Sequence, residues 1–100
     1  MDDYKIENNS ATVYLRGELD HHTVKKMMDI IEKVAELYIP KKLTLDFTDL
    51  TFMDSSGIAL ILKSLRRMDM LNGKLIIKNI KKQPAKVINA AGLARLVSIE

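Results

Sequence analysis

The sequence predicts an α/β fold, a small mixed β-sheet with helices packed against it. Stretches in which apolar and polar residues alternate are followed by stretches in which apolar residues recur at helical spacing. A predicted helix lies between the strands at residues 11–19 and 43–47 in the sequence. If this helix is a crossover connection, the two strands run parallel. Chains of 100 residues seldom divide, and we therefore expect residues 1–100 to form one domain.

The first half of the chain contains three predicted elements. Residues 4–7 form a short edge strand that pairs with the strand at residues 11–19, in which Val13 and Leu15 share one face. Gly17 is expected to close that strand, and Asp20 to be the N-cap of the following helix. This amphipathic helix covers residues 24–38 and ends before Pro40.

The second half of the chain continues the alternation of strands and helices. After the strand at residues 43–47, a helix is predicted at residues 56–71, with Asn72 and Gly73 as its stop signal. The strand at residues 74–78 is continuously apolar at its centre, which is typical of a strand covered on both faces. The remaining predicted elements are a short helix at residues 84–91 that starts at Pro84 and has Gly92 as C-cap, and a last strand that includes Leu96, Val97 and Ile99.

Composition and charge exclude several classes of protein. Hydrophobic residues make up 47% of the chain and charged residues 29%. These are ordinary values for a globular protein, so neither a disordered chain nor a membrane protein is indicated. The absence of cysteine rules out disulfides, thiolate metal sites and cysteine nucleophiles. The chain does not start like a signal peptide, and its longest wholly apolar run is five residues, 58–62. We therefore expect a cytoplasmic protein that does not contact a membrane.

The net charge of +3 does not by itself indicate a nucleic-acid partner. The lysines are spread over several segments and are not interleaved with stacking aromatic residues. We interpret Lys81, Lys82 and Lys86 as a solvated loop and helix face, and expect no nucleic-acid binding.

The stretch from Thr51 to Ile58 is the most informative part of the sequence. It joins a strand to the strongest amphipathic helix, and it contains Asp54, Ser55, Ser56 and Gly57 in a row. Helix capping alone would account for one of the polar residues, at about 1 kcal/mol. A glycine in the first turn costs up to about 1 kcal/mol against alanine. It would be justified if another chain approached closely there or if the loop had to present a side chain outward.

A serine at the start of a helix is also a favourable place for a phosphate group. Free backbone N–H groups and the positive end of the helix dipole stabilise an anion there. Phosphorylation would add a charge of about −1.5 to −2 beside Asp54 without unfolding the helix.

Catalysis and metal binding are less well supported by the sequence. Ser55 and Ser56 are not in a Gly-x-Ser-x-Gly elbow, and the Gly-x-x-x-x-Gly-Lys phosphate loop is absent. His21 and His22 are adjacent, so we expect their side chains to point apart, and no third histidine or cysteine completes a metal site. They are interpreted as surface residues or as part of a binding face. A weak nucleotide contact at the helix start and hydrolase chemistry at Ser55 remain open, but no cofactor is predicted.

Two segments resemble the STAS-domain anti-sigma factor antagonists, in particular the sporulation-type antagonists of bacteria. One is Gly17-Glu18-Leu19-Asp20 at the end of a strand, and the other is Phe52-Met53-Asp54-Ser55-Ser56-Gly57-Ile58 at the start of a helix. The similarity also includes Asn72-Gly73 and the segment from Pro84 to Leu93, so it covers nearly the whole chain. Relatives usually continue into a further C-terminal helix beyond the position of Glu100, where this sequence ends.

The resemblance implies a non-enzymatic protein that switches between partners. Its unphosphorylated form would bind an anti-sigma factor that is itself a serine kinase, and so release a sigma factor. The kinase would use ATP to phosphorylate Ser55, and a PP2C-type phosphatase would remove the phosphate. The expected partner-binding residues are Gly17, Glu18, Leu19, Asp20, Asp54, Ser55, Ser56 and Gly57, and the protein would be a monomer or a weak dimer. The alternative is a STAS scaffold module of a larger signalling or transporter assembly.

Overall fold

The chain forms one five-stranded mixed sheet with the strand order β1-β2-β3-β4-β5. The structure, a computed structural model, describes residues 2–100. Its elements are β1 (Tyr4–Glu7), β2 (Ser10–Leu19), α1 (Val24–Tyr38), β3 (Lys42–Met53), α2 (Ser55–Met70), β4 (Lys74–Lys78), α3 (Lys82–Ala90), a 3₁₀ turn (Leu93–Arg95) and β5 (Ser98–Ile99). The predicted α/β class is therefore confirmed.

Strand directions agree with the sequence prediction. β1 and β2 form an antiparallel hairpin whose turn includes Asn8, with φ at 57°. β2 pairs with β3, β3 with β4 and β4 with β5, all in parallel. The connections through α1 and α2 are thus true crossovers, and right-handed crossovers place both helices on the same face of the sheet.

The core lies between the helices and one face of the sheet. Alternate residues of the strands point into it, as the period-two pattern predicted for β2. Buried residues of α1, α2 and α3 belong to the same apolar cluster. Its members in the three helices and the central strands include Ala11, Val13, Leu15, Ile31, Val34, Leu43, Leu45, Phe47, Leu60, Ile61, Leu75, Ile77 and Ile88.

The opposite face of the sheet is largely polar. Thr12 and Thr44 are on this face, with Tyr14 stacked beneath the guanidinium of Arg16 at 5.4 Å. In β4, Ile76 points to this face and is buried, as are its neighbours Leu75 and Ile77 on the core face. The prediction of a strand buried continuously at its centre is confirmed.

Two predictions at the end of β2 are wrong. Gly17 does not close the strand, which continues to Leu19, because its positive φ of 77° allows a bulge within the strand. Asp20 is not the N-cap of α1. The helix begins at Val24 after Thr23, and Asp20 holds the intervening turn by accepting hydrogen bonds from the backbone N–H groups of His22 and Thr23.

The two long helices end as the sequence indicated. α1 stops at Tyr38, where Ile39 adopts a left-handed conformation with φ at 43° ahead of Pro40. α2 covers residues 55–70, one residue earlier at each end than predicted, and Asn72 is left-handed with φ at 56°. Gly73 was predicted as part of the stop signal, but close packing requires the glycine there. A Cβ at this position would lie 3.0 Å from the carbonyl oxygen of Lys41.

The C-terminal part differs most from the prediction. α3 starts at Lys82, two residues before Pro84, and ends at Ala90. Its C-cap is Ala91 and not Gly92, which comes next with φ at 72°. Leu96 and Val97 do not belong to the last strand, which is only Ser98–Ile99. Tertiary packing explains the difference, because the 3₁₀ turn directs Leu93 and Val97 into the core and leaves Leu96 exposed.

Within residues 2–100, no helix is both long enough and apolar enough to cross a membrane.

Candidate functional site

The two motif segments meet at the carboxyl ends of β2 and β3. Glu18 pairs with Phe52 and Leu19 with Met53 in the parallel register. Beyond the last pair, the backbone N–H of Asp54 donates to the carbonyl of Leu19 at 3.1 Å. The carboxyl end of a parallel sheet is where α/β proteins commonly place binding sites. The segment at residues 17–20 therefore lies beside the segment at residues 50–54, as expected for a shared face.

Asp54 is the N-cap of α2. Its backbone is extended, and its carboxylate accepts a hydrogen bond from the backbone N–H of Ser56 at 2.7 Å. The carbonyl of Asp54 accepts a further bond from the N–H of Gly57 at 3.0 Å. A cap of this kind contributes about 1 kcal/mol to helix stability. Capping thus accounts for Asp54, one of the three polar residues in this segment.

The two serines differ in exposure. Ser55 is the first residue of α2 and is exposed, and within residues 2–100 its hydroxyl has no hydrogen-bond partner. Ser56 is half-buried and lines a groove between α1 and α2 together with Val24 and Lys63. Of the two serines, the first is therefore the more accessible to solvent.

Gly57 is buried, and the close approach that requires it is internal. A Cβ at this position would overlap Cγ of Met53 and would lie 2.5 Å from the sulfur and 3.1 Å from Cδ2 of Leu19. Both neighbours are fully buried. The glycine thus lets the first turn of α2 pack on the ends of β2 and β3, and contact with another chain is not needed to explain it.

A hydrogen-bonded turn follows β2 and stands next to the helix start. The hydroxyl of Thr23 donates to the carbonyl of Glu18 at 2.7 Å and accepts from the N–H of Asp20 at 3.0 Å. Partial desolvation raises the pKa of Asp20, but hydrogen bonds from the N–H groups of His22 and Thr23 outweigh it. The pKa of Asp20 is therefore lowered overall. The carboxylate stays ionised at neutral pH and holds the turn in one shape.

His21 and His22 contact one another, contrary to the prediction that they point apart. Their ring centroids are 3.9 Å apart, with planes inclined by 39°. The prediction failed because the two residues lie in a turn, where neighbouring side chains do not diverge as they do along a strand. Both are exposed, and residues 2–100 contain no group of three or more histidine, aspartate or glutamate side chains that could hold a metal ion.

Three features of this region were missed by sequence reasoning. Phe52, the first residue of the second motif segment, is a large apolar side chain that is 38% exposed. Thr51 in β3 is joined to β2 at this point, because its hydroxyl donates a hydrogen bond to the carbonyl of Gly17 at 3.1 Å. An exposed aromatic ring next to Glu18 gives this face an apolar contact point, and no pattern in a single sequence reveals it.

The third missed feature is Gln83, which joins α3 to the site. Its side-chain oxygen accepts from the backbone N–H of Met53 at 2.8 Å, and its amide nitrogen donates to the carbonyl of Met53 at 3.0 Å. The Gln83 side chain thus forms with the backbone of Met53 the two hydrogen bonds that an adjacent strand would otherwise form. A glutamine 30 residues away in the chain carries no local signal of this contact.

Comparison with known proteins agrees with the geometry. The sequence model of the STAS domain matches residues 3–100. The chain is 30% identical over 88 residues to the anti-sigma F factor antagonist of Lysinibacillus sphaericus, which is 88% of this chain and 75% of that protein.

Two solved structures of one relative are also similar. The anti-sigma factor antagonist SpoIIAA in its unphosphorylated form is 28% identical, with a TM-score of 0.83 over 97% of this chain and 85% of that one. The Bacillus SpoIIAA in the phosphorylated form is likewise 28% identical, with a TM-score of 0.71 over 97% of this chain and 90% of that one.

Proposed function

This chain belongs to the STAS-domain family, and we propose that it is an anti-sigma factor antagonist. Its unphosphorylated form binds an anti-sigma factor that is a serine kinase, and this binding releases the sigma factor. Phosphorylation of Ser55 ends the interaction. The protein acts in this cycle as a binding partner and substrate, and not as an enzyme.

The observation that carries the proposal is the placement of Ser55. Its hydroxyl is exposed at the point where the segment at residues 17–20 meets the start of α2. Ser56, the alternative acceptor, is half-buried and gives its N–H to Asp54. The relatives support the same reading, since one of them is known in both an unphosphorylated and a phosphorylated form.

The chemical step is a phosphoryl transfer from ATP. The Ser55 hydroxyl loses its proton to a base of the kinase, a bond forms between Oγ and the γ-phosphorus, and the bond to the bridging oxygen of ATP breaks to leave ADP. A PP2C-type phosphatase reverses the modification by hydrolysis, in which water supplies the oxygen of the released phosphate. An exposed first-turn serine is accessible to both enzymes without unfolding of α2.

Phosphate on Ser55 weakens binding through charge and hydration. The group carries a charge of about −1.5 to −2 and adds to the charge of Asp54. A partner that covers this face has to remove water from the phosphate, and an unpaired buried charge is costly. A hundredfold loss of affinity corresponds to about 2.7 kcal/mol, which one such charge can supply. No change in fold is required.

The docking face consists of the exposed groups around Ser55. Glu18 and Phe52 stand side by side at the ends of β2 and β3, and the turn held by Asp20 borders them. Gly17 is exposed at the bulge, whereas Leu19 and Gly57 are buried and contribute by shaping the backbone. The partner therefore meets a rigid edge that presents the ring of Phe52, the carboxylate of Glu18 and the hydroxyl of Ser55.

Substitution of Ser55 tests the proposal. We expect Ser55→Ala to bind the partner kinase as tightly as the wild type and to accept no phosphate. We expect Ser55→Asp to bind at least tenfold more weakly, because a carboxylate places part of the phosphate charge on the docking face; tenfold corresponds to about 1.4 kcal/mol. Isothermal titration calorimetry against the purified anti-sigma factor measures the affinities, and mass spectrometry after incubation with ATP locates the phosphate.

Ser56→Ala is the matched control, since it removes the neighbouring hydroxyl and leaves the N–H that Asp54 caps. It should bind and accept phosphate like the wild type. Equal affinity of Ser55→Asp and the wild type would contradict the mechanism, and phosphate found on Ser56 would contradict the assignment of the acceptor.

A further inference from the structure

An open groove runs between α2 and α3 directly beside Ser55. It has a volume of about 470 Å³ and is lined by Ser55 and Ile58 on α2, by Lys86, Val87 and Ala90 on α3, and by Ala91 just beyond it. Four of these six side chains are apolar. The polar groups that remain are one hydroxyl, that of Ser55, and one ammonium group, that of Lys86. The acceptor serine thus shares a groove with a single cation.

The ammonium group of Lys86 is available for an anion. The side chain is exposed, and none of the ion pairs formed within residues 2–100 involves it. Some other cations of the protein are already engaged, such as Lys25 with Asp29 at 3.1 Å and Lys78 with Glu100 at 3.8 Å. A new negative charge in the groove would therefore meet an unpaired positive one.

The position of Lys86 relative to Ser55 is fixed by Gln83. The two hydrogen bonds between Gln83 and the backbone of Met53 attach the first turn of α3 to the residue that precedes Asp54. Lys86 follows Gln83 by three residues, so it lies on the same side of α3 one turn further along. Burial of Pro84 and Ile88 in the same helix fixes its rotation. The backbone of Lys86 is consequently held beside the groove, and its flexible side chain carries the ammonium group.

We propose that Lys86 is the residue of this chain that pairs with the phosphate group on Ser55. This inference rests on the proposed phosphorylation of Ser55 and adds the group that holds the modified side chain. A phosphate oxygen and an ammonium group form a charge-assisted hydrogen bond, which is stronger than a neutral one. The pair draws the phosphate across the mouth of the groove, so that phosphorylation alters the surface of α3 as well as that of α2.

Asp54 and Lys86 bring charges of opposite sign to the two sides of Ser55 in this arrangement. Asp54, at the N-cap of α2, disfavours the dianion, and Lys86, from α3, favours it. Lys63 on α2 is a matched control. It lines the groove between α1 and α2, so its charge lies on the other side of the helix.

A phosphorus NMR titration tests the pairing. Phosphoserine is incorporated at position 55 during translation in the wild-type chain and in the Lys86→Met, Lys86→Arg and Lys63→Met variants. We expect the second pKa of the phosphate, near 6 in free phosphoserine, to be about 0.5 higher in Lys86→Met than in the wild type, as for a partly exposed ion pair. Lys86→Arg keeps the charge and should retain the wild-type value, and Lys63→Met should also retain it.

Identical titration curves for the wild type and Lys86→Met would overturn the proposal, and so would an equal increase in Lys63→Met. Melting temperatures of the unphosphorylated variants identify any loss of folding. If Lys86→Met is unstable, Lys86→Gln removes the same charge and should give the same increase in the phosphate pKa. Since the phosphoserine is encoded, no kinase is involved. Failure of the pairing is therefore distinct from failure of the antagonist function, which the calorimetric experiment with the partner measures.

Discussion

Ser55 and Ser56 are chemically identical neighbours that the fold treats differently. The first stands free at the surface, and the second is half-buried against α1 with its N–H donated to Asp54. Gly57 completes the segment from inside, where its missing side chain makes room for Met53. At the scale of single residues, the site consists of one exposed hydroxyl supported by three residues that fix the backbone around it.

The internal role of Gly57 leads to a prediction of opposite effects in two backgrounds. In the wild type, Gly57→Ala should lower the free energy of unfolding by about 1 kcal/mol, because overpacking against Met53 and Leu19 exceeds the gain in helix propensity. In a Met53→Ala background the space is open, and the same substitution should be stabilising. Urea unfolding of the four proteins in this double-mutant cycle measures both effects.

If Gly57→Ala has the same effect in both backgrounds, contact with Met53 is not the reason for the glycine. A normal stability combined with weaker binding of the anti-sigma factor would restore the interpretation of Gly57 as a contact point for another chain.

At the scale of elements, the site depends on α3, which is far from it in the sequence. β2, β3 and α2 bring the two motif segments together, and α3 completes the arrangement from the side through Gln83. Met53 lies at the end of β3, where β4 has already ended and offers no pairing partner. The glutamine side chain satisfies the backbone groups that a neighbouring strand would otherwise satisfy.

Replacement of Gln83 should loosen the start of α2. Gln83→Leu leaves the buried N–H and carbonyl of Met53 without partners, so we expect the free energy of unfolding to fall by about 2 kcal/mol. Gln83→Glu retains the acceptor and loses the donor, and should have an intermediate effect. Hydrogen exchange of the Met53 amide, followed by NMR, should accelerate strongly in Gln83→Leu.

An exchange rate for the Met53 amide as slow in Gln83→Leu as in the wild type would show that other contacts hold this residue. The amide of Leu45, in the middle of β3 and away from Gln83, is the internal reference, and its exchange should follow global stability alone.

At the scale of the whole molecule, the two faces of the sheet have different tasks. The helices cover one face and build the core, and the site lies at the carboxyl edge where β2 and β3 end. The other face is polar and is tied together by side-chain hydrogen bonds. There the carboxylate of Asp46 accepts from the hydroxyl of Thr48 at 2.6 Å and from the amide of Asn79 at 3.4 Å.

Asp46 on the polar face of the sheet should make the stability of the protein depend on pH. Partial burial raises the pKa of Asp46. Hydrogen bonds from Thr48 and Asn79 and the charge of Lys78 lower it by more, so the pKa lies below its usual 3.8. A lowered pKa in the folded state contributes stability above the unfolded pKa and loses it as the pH falls through the folded value. The free energy of unfolding should therefore decrease below about pH 4.

Asp46→Asn should flatten this decrease, as measured by urea unfolding between neutral and acidic pH. Asp49→Asn is the control, because Asp49 is an exposed carboxylate on the same strand and accepts no side-chain hydrogen bond within residues 2–100. An unchanged pH dependence in Asp46→Asn would mean that the polar face does not contribute to acid stability.

Local physics in the sequence determined most of the elements. Hydrophobic patterns located α1 and β4 to the residue, and Asn72 marked the end of α2 because asparagine tolerates positive φ. The Asp-Ser-Ser-Gly segment pointed to the start of α2 and to Ser55, through the capping preference of aspartate and the resemblance to antagonists. These features depend on neighbours within about one helical turn.

Only the tertiary structure decided the features that depend on distant contacts. The C-terminal strand is short because Val97 packs into the core, and His21 and His22 touch because a turn positions them. Gly57 serves Met53 and Leu19, and Gln83 holds Met53 from 30 residues away. No local pattern in a single sequence reveals such pairs. Which side chains are buried, and which groups form hydrogen bonds with the buried backbone, is decided only when the elements pack together.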